Sequence, residues 1–274
     1  MKAGIFLDID NLTRNGGLKI RFDAVKQLVQ SQGADVLRAN AYMAVDKDME
    51  TRDPAVHLKW QEFRDSLRRA GFHLVLKPLR RFINGDGQVV ASANCILELA
   101  IDAVLQSAPL DYVLIGSGDG DVIRLIRALQ ERGKRVDVLT FGNASSQLQR
   151  AADNAFSGFL VPGLLPAEEG APSAGRRLRG QVIEVDEEAG VGKLAVRTGI
   201  GPADFRRDVE IRLANFSRAG SPVSKEQFTE LRERGTVIEF DMAEVGDGRV
   251  KAINAREYRR EDKTIFLPPI EDET

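Results

Sequence analysis

The chain has 274 residues, 43% of them hydrophobic, with 39 basic and 41 acidic side chains and a net charge of −2. That length suits two ordinary domains with real cores, and the near-neutral balance excludes binding to nucleic acid by bulk charge, leaving local basic patches to be sought. One cysteine, Cys95, excludes an internal disulfide and points to a reducing compartment, and no apolar run is long enough to span a bilayer, so a cytoplasmic protein with no membrane partner is expected.

The chain opens MKAGIFLDID, where Asp8 and Asp10 cut the apolar run short of an export signal. Residues 4–9 read as a buried strand, 22–30 as a helix stopped near Gly33, and 35–43 as the next strand. Asp53 followed by Pro54 supplies an N-cap and a proline at the first helical position, and Gly71 ends that helix. Trp60 lies at helical spacing with Val56, Phe63 and Leu67 and reads as core. A strand at 72–77, a turn at 84–87, a helix at 92–106 and a strand at 112–115 follow. A helix after Asp121 closes at Gly133, and strand 135–140, a short helix at 144–152 and strand 156–161 complete the unit. Alternating helices and near-continuous apolar strands predict an α/β fold, an open parallel sheet with helices on both faces, over 1–161. Residues 162–175 (PGLLPAEEGAPSAG) lack periodicity and read as a linker. Five strands, at 181–185, 192–197, 208–213, 236–242 and 249–255, with a helix at 224–234, predict a small all-β barrel of the OB type over 176–258. The tail 259–274 reads as flexible.

In an open parallel sheet, function gathers at the C-terminal ends of the strands. Asp8, Asp10 and Asn11 sit where the first strand ends; Ser117, Asp119 and Asp121 follow strand 112–115 in the run GSGDGD, whose glycines permit tight turning. Carboxylates crowded there repel one another unless a cation lies between them, and oxygen ligands favour Mg²⁺ or Mn²⁺. Asn94, Glu98 and Asp102, at i, i+4 and i+8, form a polar stripe on an otherwise apolar helix. Asp102 is the more unusual acid there, and Glu98 reads as solvated surface. Against the functional reading, Asp10, Asn11 and Asp121 also fit as turn or helix caps. His57 and His73 read as a helix-surface and a strand residue, and Cys95 as a packed thiol.

The segments IFLDIDNL, ILELAIDAVL and YVLIGSGDGDVIRLIRALQERGKRVDVL resemble three signatures of NYN-domain proteins of the LabA-like type, in the PIN-like nuclease superfamily. The resemblance implies a PIN-like fold and Mg²⁺- or Mn²⁺-dependent cleavage of RNA. It assigns Asp8, Asp102, Asp119 and Asp121 as catalytic metal ligands, with Asn11, Ser117 and Asn94 supporting them. The second signature usually carries an extra Asp near the helix start, where this chain has Ile96. Arg14, Lys77, Arg80 and Arg81 lie near strand ends, where they fit as RNA-backbone contacts or as ordinary surface charge. The C-terminal segments are similar to the strands of a cold-shock domain, but Val191, Lys193, Leu194, Val209 and Ile211 stand at the base-stacking places. RNA affinity there would come from Arg197, Arg206, Arg207 and Arg212, and a protein-contact surface is the alternative. Two other functions remain open: a catalytically weak RNA-binding or scaffolding protein, and a phosphatase resembling the haloacid dehalogenases, for which Asp8-Ile9-Asp10 would supply nucleophile and acid.

Overall fold

A computed structural model describes residues 1–83, 89–142, 144–166, 177–218, 221–233, 236–246 and 249–258. They fall into two compact units, Met1–Phe156 and Ser157–Glu261. The first begins with β1 (Lys2–Asp8), which runs into the one-turn helix α1 (Ile9–Leu12) and a wider helical turn at Thr13–Gly17. There follow α2 (Phe22–Ser31), β2 (Asp35–Val45), α3 (Lys47–Arg52), α4 (Pro54–Arg69) and β3 (His73–Pro78). The hairpin β4 (Arg80–Ile83) and β5 (Val89–Ser92) precedes α5 (Ile96–Gln106). The unit ends with β6 (Tyr112–Gly116), α6 (Val122–Gln130), β7 (Arg135–Thr140), α7 (Ser146–Ala151) and β8 (Asn154–Ser157).

The sheet runs β3-β2-β1-β6-β7-β8, and β1, β2, β3, β6 and β7 are parallel neighbours. From β1 the chain adds β2 and β3 on one side, then crosses to add β6 and β7 on the other. The strand order therefore reverses between β1 and β6, and loops leaving a parallel sheet at such a point open a crevice outside the strand ends. One face is filled by Phe6, Tyr42, Val113, Ile115, Val136 and Val138, packed with Leu99, Ala103, Val122, Ile126 and Leu148 from α5, α6 and α7. Asp53 caps α4 by accepting from the N–H groups of Ala55 and Val56, while Gly71 (φ 77°) and Gly133 (φ 72°) take the left-handed conformation that ends α4 and the turn after α6.

Several sequence expectations need correction. The first strand stops at Asp8, because Asp8 caps α1 and draws Ile9 into that helix. The helix expected from 92 starts at Ile96, since β5 takes residues through Ser92. Helix α3, which has no buried residue, has no counterpart in the predicted elements. Trp60 is only half-buried, edge-on to Phe63 at 5.8 Å between ring centroids. Strand β8 ends at Ser157, and the stretch 162–175 does not start as open linker: Leu164 and Leu165 are buried. The rest of that stretch, the turn at 84–87 and the tail 259–274 lie outside the described residues.

The second unit contains β9 (Leu178–Asp186), β10 (Val191–Arg197), β11 (Phe205–Arg212), the short pair β12 (Phe216–Arg218) and β13 (Ser221–Pro222), α8 (Lys225–Glu233), β14 (Val237–Glu244) and β15 (Val250–Glu257). Strands β11-β10-β9-β14-β15 form a row that closes into a barrel where β15 pairs in parallel with β11. Five strands with a helix between the third and fourth make the barrel OB-like. Val182, Leu194, Val196, Val209, Ile211, Phe228, Ile238 and Phe240 fill it. Glu239 alternates away from that core yet is also buried. It faces three guanidinium groups, with Arg179 at 3.3 Å, Arg256 at 2.9 Å and Arg177 at 3.7 Å. Arg179 and Arg256 are its direct cross-strand neighbours on β9 and β15.

Candidate active site

The ends of β1 and β6 are joined by a chain of hydrogen bonds. Asp8 Oδ1 accepts from the Asn11 N–H at 3.1 Å and Oδ2 accepts from the Ser117 hydroxyl at 3.3 Å. The Asn11 side-chain oxygen accepts from the Gly118 N–H at 2.8 Å, so one residue of α1 fixes the loop after β6. Ser117 Oγ accepts from the Asp119 N–H at 3.2 Å, and Asp119 Oδ1 accepts from the Asp121 N–H at 2.9 Å. Asp8, Asn11, Ser117, Asp119 and Asp121 are thus brought together as their spacing implied. The glycines act differently from the sequence reading. None of Gly116, Gly118 and Gly120 has positive φ, whereas a Cβ on Gly116 would lie 2.5 Å from Leu7 Cδ2. Gly116 is there so that β1 and β6 can close against each other at the site.

Asp8 and Asp10 are only 6% and 7% exposed. Burial pushes the Asp8 carboxyl up to about 6, with the Asp119 charge adding to the rise and Asn11, Ser117 and Arg14 opposing it. Burial likewise pushes Asp10 up to about 7; the Asp8 charge adds, while the Ala44 N–H, 2.7 Å from Asp10 Oδ2, and Arg14 oppose. Spacing alone left Asp10 open between a member of the acidic cluster and a turn cap. It is a buried carboxylate that ties α1 to the end of β2, and the signal available was its place two residues after Asp8. Exposed Arg14 supplies positive charge to both acids. Asp121 is exposed and forms no side-chain cap on α6, so the capping alternative does not hold for it.

The α5 stripe divides. Asn94 precedes the helix, and its Oδ1 accepts from the Ile96 N–H at 2.7 Å. Glu98 is half-buried rather than fully solvated and is bonded to Lys77 at 2.8 Å. Burial opposes ionisation of Glu98, but Lys77 wins and holds its carboxyl below the usual range. Asp102, one turn further along α5, accepts from the Tyr42 hydroxyl at 2.9 Å and is not among the charges that act on Asp8 or Asp10. Cys95 is buried, as a packed thiol would be, and is pushed up to about 12 by burial and then by Asp10, Asp8 and Glu98. Arg81 is clamped between Asp46 and Asp48. Arg80 is exposed. His57 stands beside Glu50 and His73 on an exposed position of β3.

The donors at the strand ends are all oxygens, which is the chemistry of Mg²⁺ or Mn²⁺. Among the described residues no three Asp, Glu, His or Cys side chains converge closely enough to hold a metal by themselves. Mg²⁺ commonly takes only one or two carboxylates and keeps its waters. Each Asp8 oxygen has one hydrogen bond among these contacts and retains acceptor capacity, so the residues fit such a cation.

Fold and site define an α/β domain with its acids gathered at the switch point of a parallel sheet. Residues 2–160 match the family model of the NYN domain, more than half of the chain, and the chain belongs to that family. This places it in the PIN-like nuclease superfamily, whose members are generally metal-dependent ribonucleases. The chain is also similar to the crystal structure of a protein of unknown function from Vibrio parahaemolyticus, with 27% identity over 57% of this chain and 91% of that one and a TM-score of 0.47. Comparison with curated proteins gives no match. No helix among the described residues is long and apolar enough to cross a membrane.

Proposed function

We propose that this protein is a divalent-metal-dependent ribonuclease of the LabA-like type that hydrolyses RNA phosphodiester bonds at the switch-point crevice. The observation that carries the reading is Asp8, a buried carboxylate that faces the charge of Asp119 and has only neutral N–H and O–H donors bonded to it. A carboxylate so placed is under-neutralised, and a bound cation supplies what is missing. Asp8, Asp119 and Asp121 would hold Mg²⁺ or Mn²⁺; when bound, the ion lowers the pKa of a water and stabilises charge on the phosphate. The chain's own groups do the rest. Ser117 and Asn11 orient Asp8 and the loop of Asp119, and a misplaced ligand costs activity as surely as a missing one. Arg14 offers positive charge where a phosphate would arrive. Asp102 acts through Tyr42, whose backbone pairs with Asp8, as a positioning residue. The test is cleavage of single-stranded RNA with Mn²⁺ and with EDTA, by the full chain and by Asp119→Asn. Metal-dependent cleavage lost in the variant supports the reading; equal cleavage by both overturns it.

The second reading, an RNA-binding protein with weak catalysis, is favoured by Ile96 at the place of an acid and by the absence of a three-acid cluster among the described residues. RNA binding without metal-dependent cleavage would select it. The phosphatase reading is set aside because residues 2–160 match the NYN domain, which points to nuclease chemistry.

A further inference from the structure

Helices α4 and α6 face solvent with charged side chains, among them Lys59, Glu62, Arg124 and Arg127. Helix α5 does not. Its only exposed positions are Leu97, Ile101 and Leu105, at 65%, 49% and 72%. They recur at every fourth residue and so form one outward apolar stripe. A helix that is apolar on its outer face as well as its inner one is a helix that something covers. Its 11 residues are too few to span a bilayer, and it carries two acids and no base, which argues against an anionic membrane surface.

The flanks of the stripe define what fits it. On one side Ile96, Ala100 and Val104 are half-buried against the core and continue the apolar surface. On the other, Glu98, Asp102 and Gln106 are already engaged, with Lys77 at 2.8 Å, the Tyr42 hydroxyl at 2.9 Å and the Asn40 amide at 3.2 Å. The face therefore calls for an apolar helix and for no counter-charge. Helix α5 is itself such a helix. The stripe reads Leu, Ile, Leu from either end, so it is self-complementary about a two-fold axis at Ile101. In that antiparallel pairing each residue falls opposite the one equally far on the other side of Ile101. Ile101 meets the partner's Ile101, and Leu97 meets the partner's Leu105. Glu98 falls opposite the partner's Val104 and Asp102 opposite the partner's Ala100, so no acid meets an acid, and the two helix dipoles run opposed.

We infer that two copies of this chain associate through α5, packed antiparallel about a two-fold axis at Ile101. The three side chains offer roughly 300 Å² of apolar surface, whereas a standard interface takes about 800 Å² per partner. The dimer is therefore a weak one, formed at micromolar concentration. This goes beyond the hydrolase reading, and it is measured in EDTA without RNA so that its outcome does not depend on cleavage. Sedimentation equilibrium of the full chain from about 1 to about 200 µM should show the mass rising from the 30.2 kDa monomer toward twice that value. Ile101→Glu and Ile101→Lys each set like charges against one another on the axis, and each should stay monomeric. Mixed in equal amounts they should recover association, which requires folded helices that meet at this residue. Leu105→Gln, a milder change at the most exposed position, should weaken association about tenfold. A wild type monomeric throughout would give the stripe to another partner and overturn the inference. So would association unchanged by Leu105→Gln, or a mixture of the two charge variants that associates no better than either alone.

Discussion

Asp8 and Glu239 are both buried carboxylates, one in each unit, and they are solved in opposite ways. Glu239 is surrounded by the guanidinium groups of Arg177, Arg179 and Arg256, so positive charge exceeds negative around it. Asp8 has backbone and hydroxyl donors, another carboxylate nearby and only the exposed Arg14 as counter-charge. A buried charge with its partners built in belongs to the architecture. A buried charge left short of partners destabilises the fold that holds it, and sites that bind a further ion are where that cost is offset. The same residue chemistry therefore has a structural meaning in the barrel and a functional one at the strand ends.

The largest expected effect is on activity. Asp8→Asn and Asp119→Asn should each lower Mn²⁺-dependent RNA cleavage on the order of a hundredfold or more, measured as initial rate on single-stranded RNA. Glu239→Gln should leave any cleavage in place but destabilise the second unit by about 3–5 kcal/mol, because three arginines lose their shared anion. Denaturant melts of the full chain would register it as an earlier transition. If instead Glu239→Gln is neutral and Asp8→Asn unfolds the protein, the contrast between the two acids is reversed.

Strand-end placement was legible because both faces of the sheet are covered: GIFL and YVLIG are apolar throughout, which fixes where each strand ends and hence where Asp8 and Ser117 emerge. Depth was not legible. Spacing put Asp8 and Asp10 side by side without showing that Asp10 is buried against Ala44. Helical periodicity placed Asn94, Glu98 and Asp102 on one face, but α5 starts only at Ile96, so Asn94 lies outside the helix and bonds the Ile96 N–H, while Asp102 meets Tyr42. Helix α3 (KDMETR) buries nothing and so has no apolar pattern to read; Asp46 caps it through the Met49 N–H.

Smaller effects sharpen the comparison. The Asp8 carboxyl rises from 3.8 to about 6 on folding, so the folded protein keeps that proton to higher pH than the unfolded chain. Without metal, stability should fall as pH rises from about 4 to about 6, and Asp8→Asn should remove that loss and gain up to about 3 kcal/mol at pH 7. Asp102→Asn leaves the Tyr42 hydroxyl an acceptor and should cost less than about tenfold in cleavage rate. A loss equal to that of Asp8→Asn would make Asp102 a ligand. Glu98→Gln breaks only a half-exposed pair with Lys77 and should cost under about 1 kcal/mol in a thermal melt.

The most direct measurement is the melting temperature of wild type and Asp8→Asn across a Mn²⁺ titration. Binding to the folded state stabilises it in proportion to the logarithm of ligand concentration above Kd. Wild type should therefore climb steadily with Mn²⁺, while Asp8→Asn should start higher without metal and stay level. A wild type indifferent to Mn²⁺, or a variant that climbs in parallel with it, would contradict a cation at Asp8.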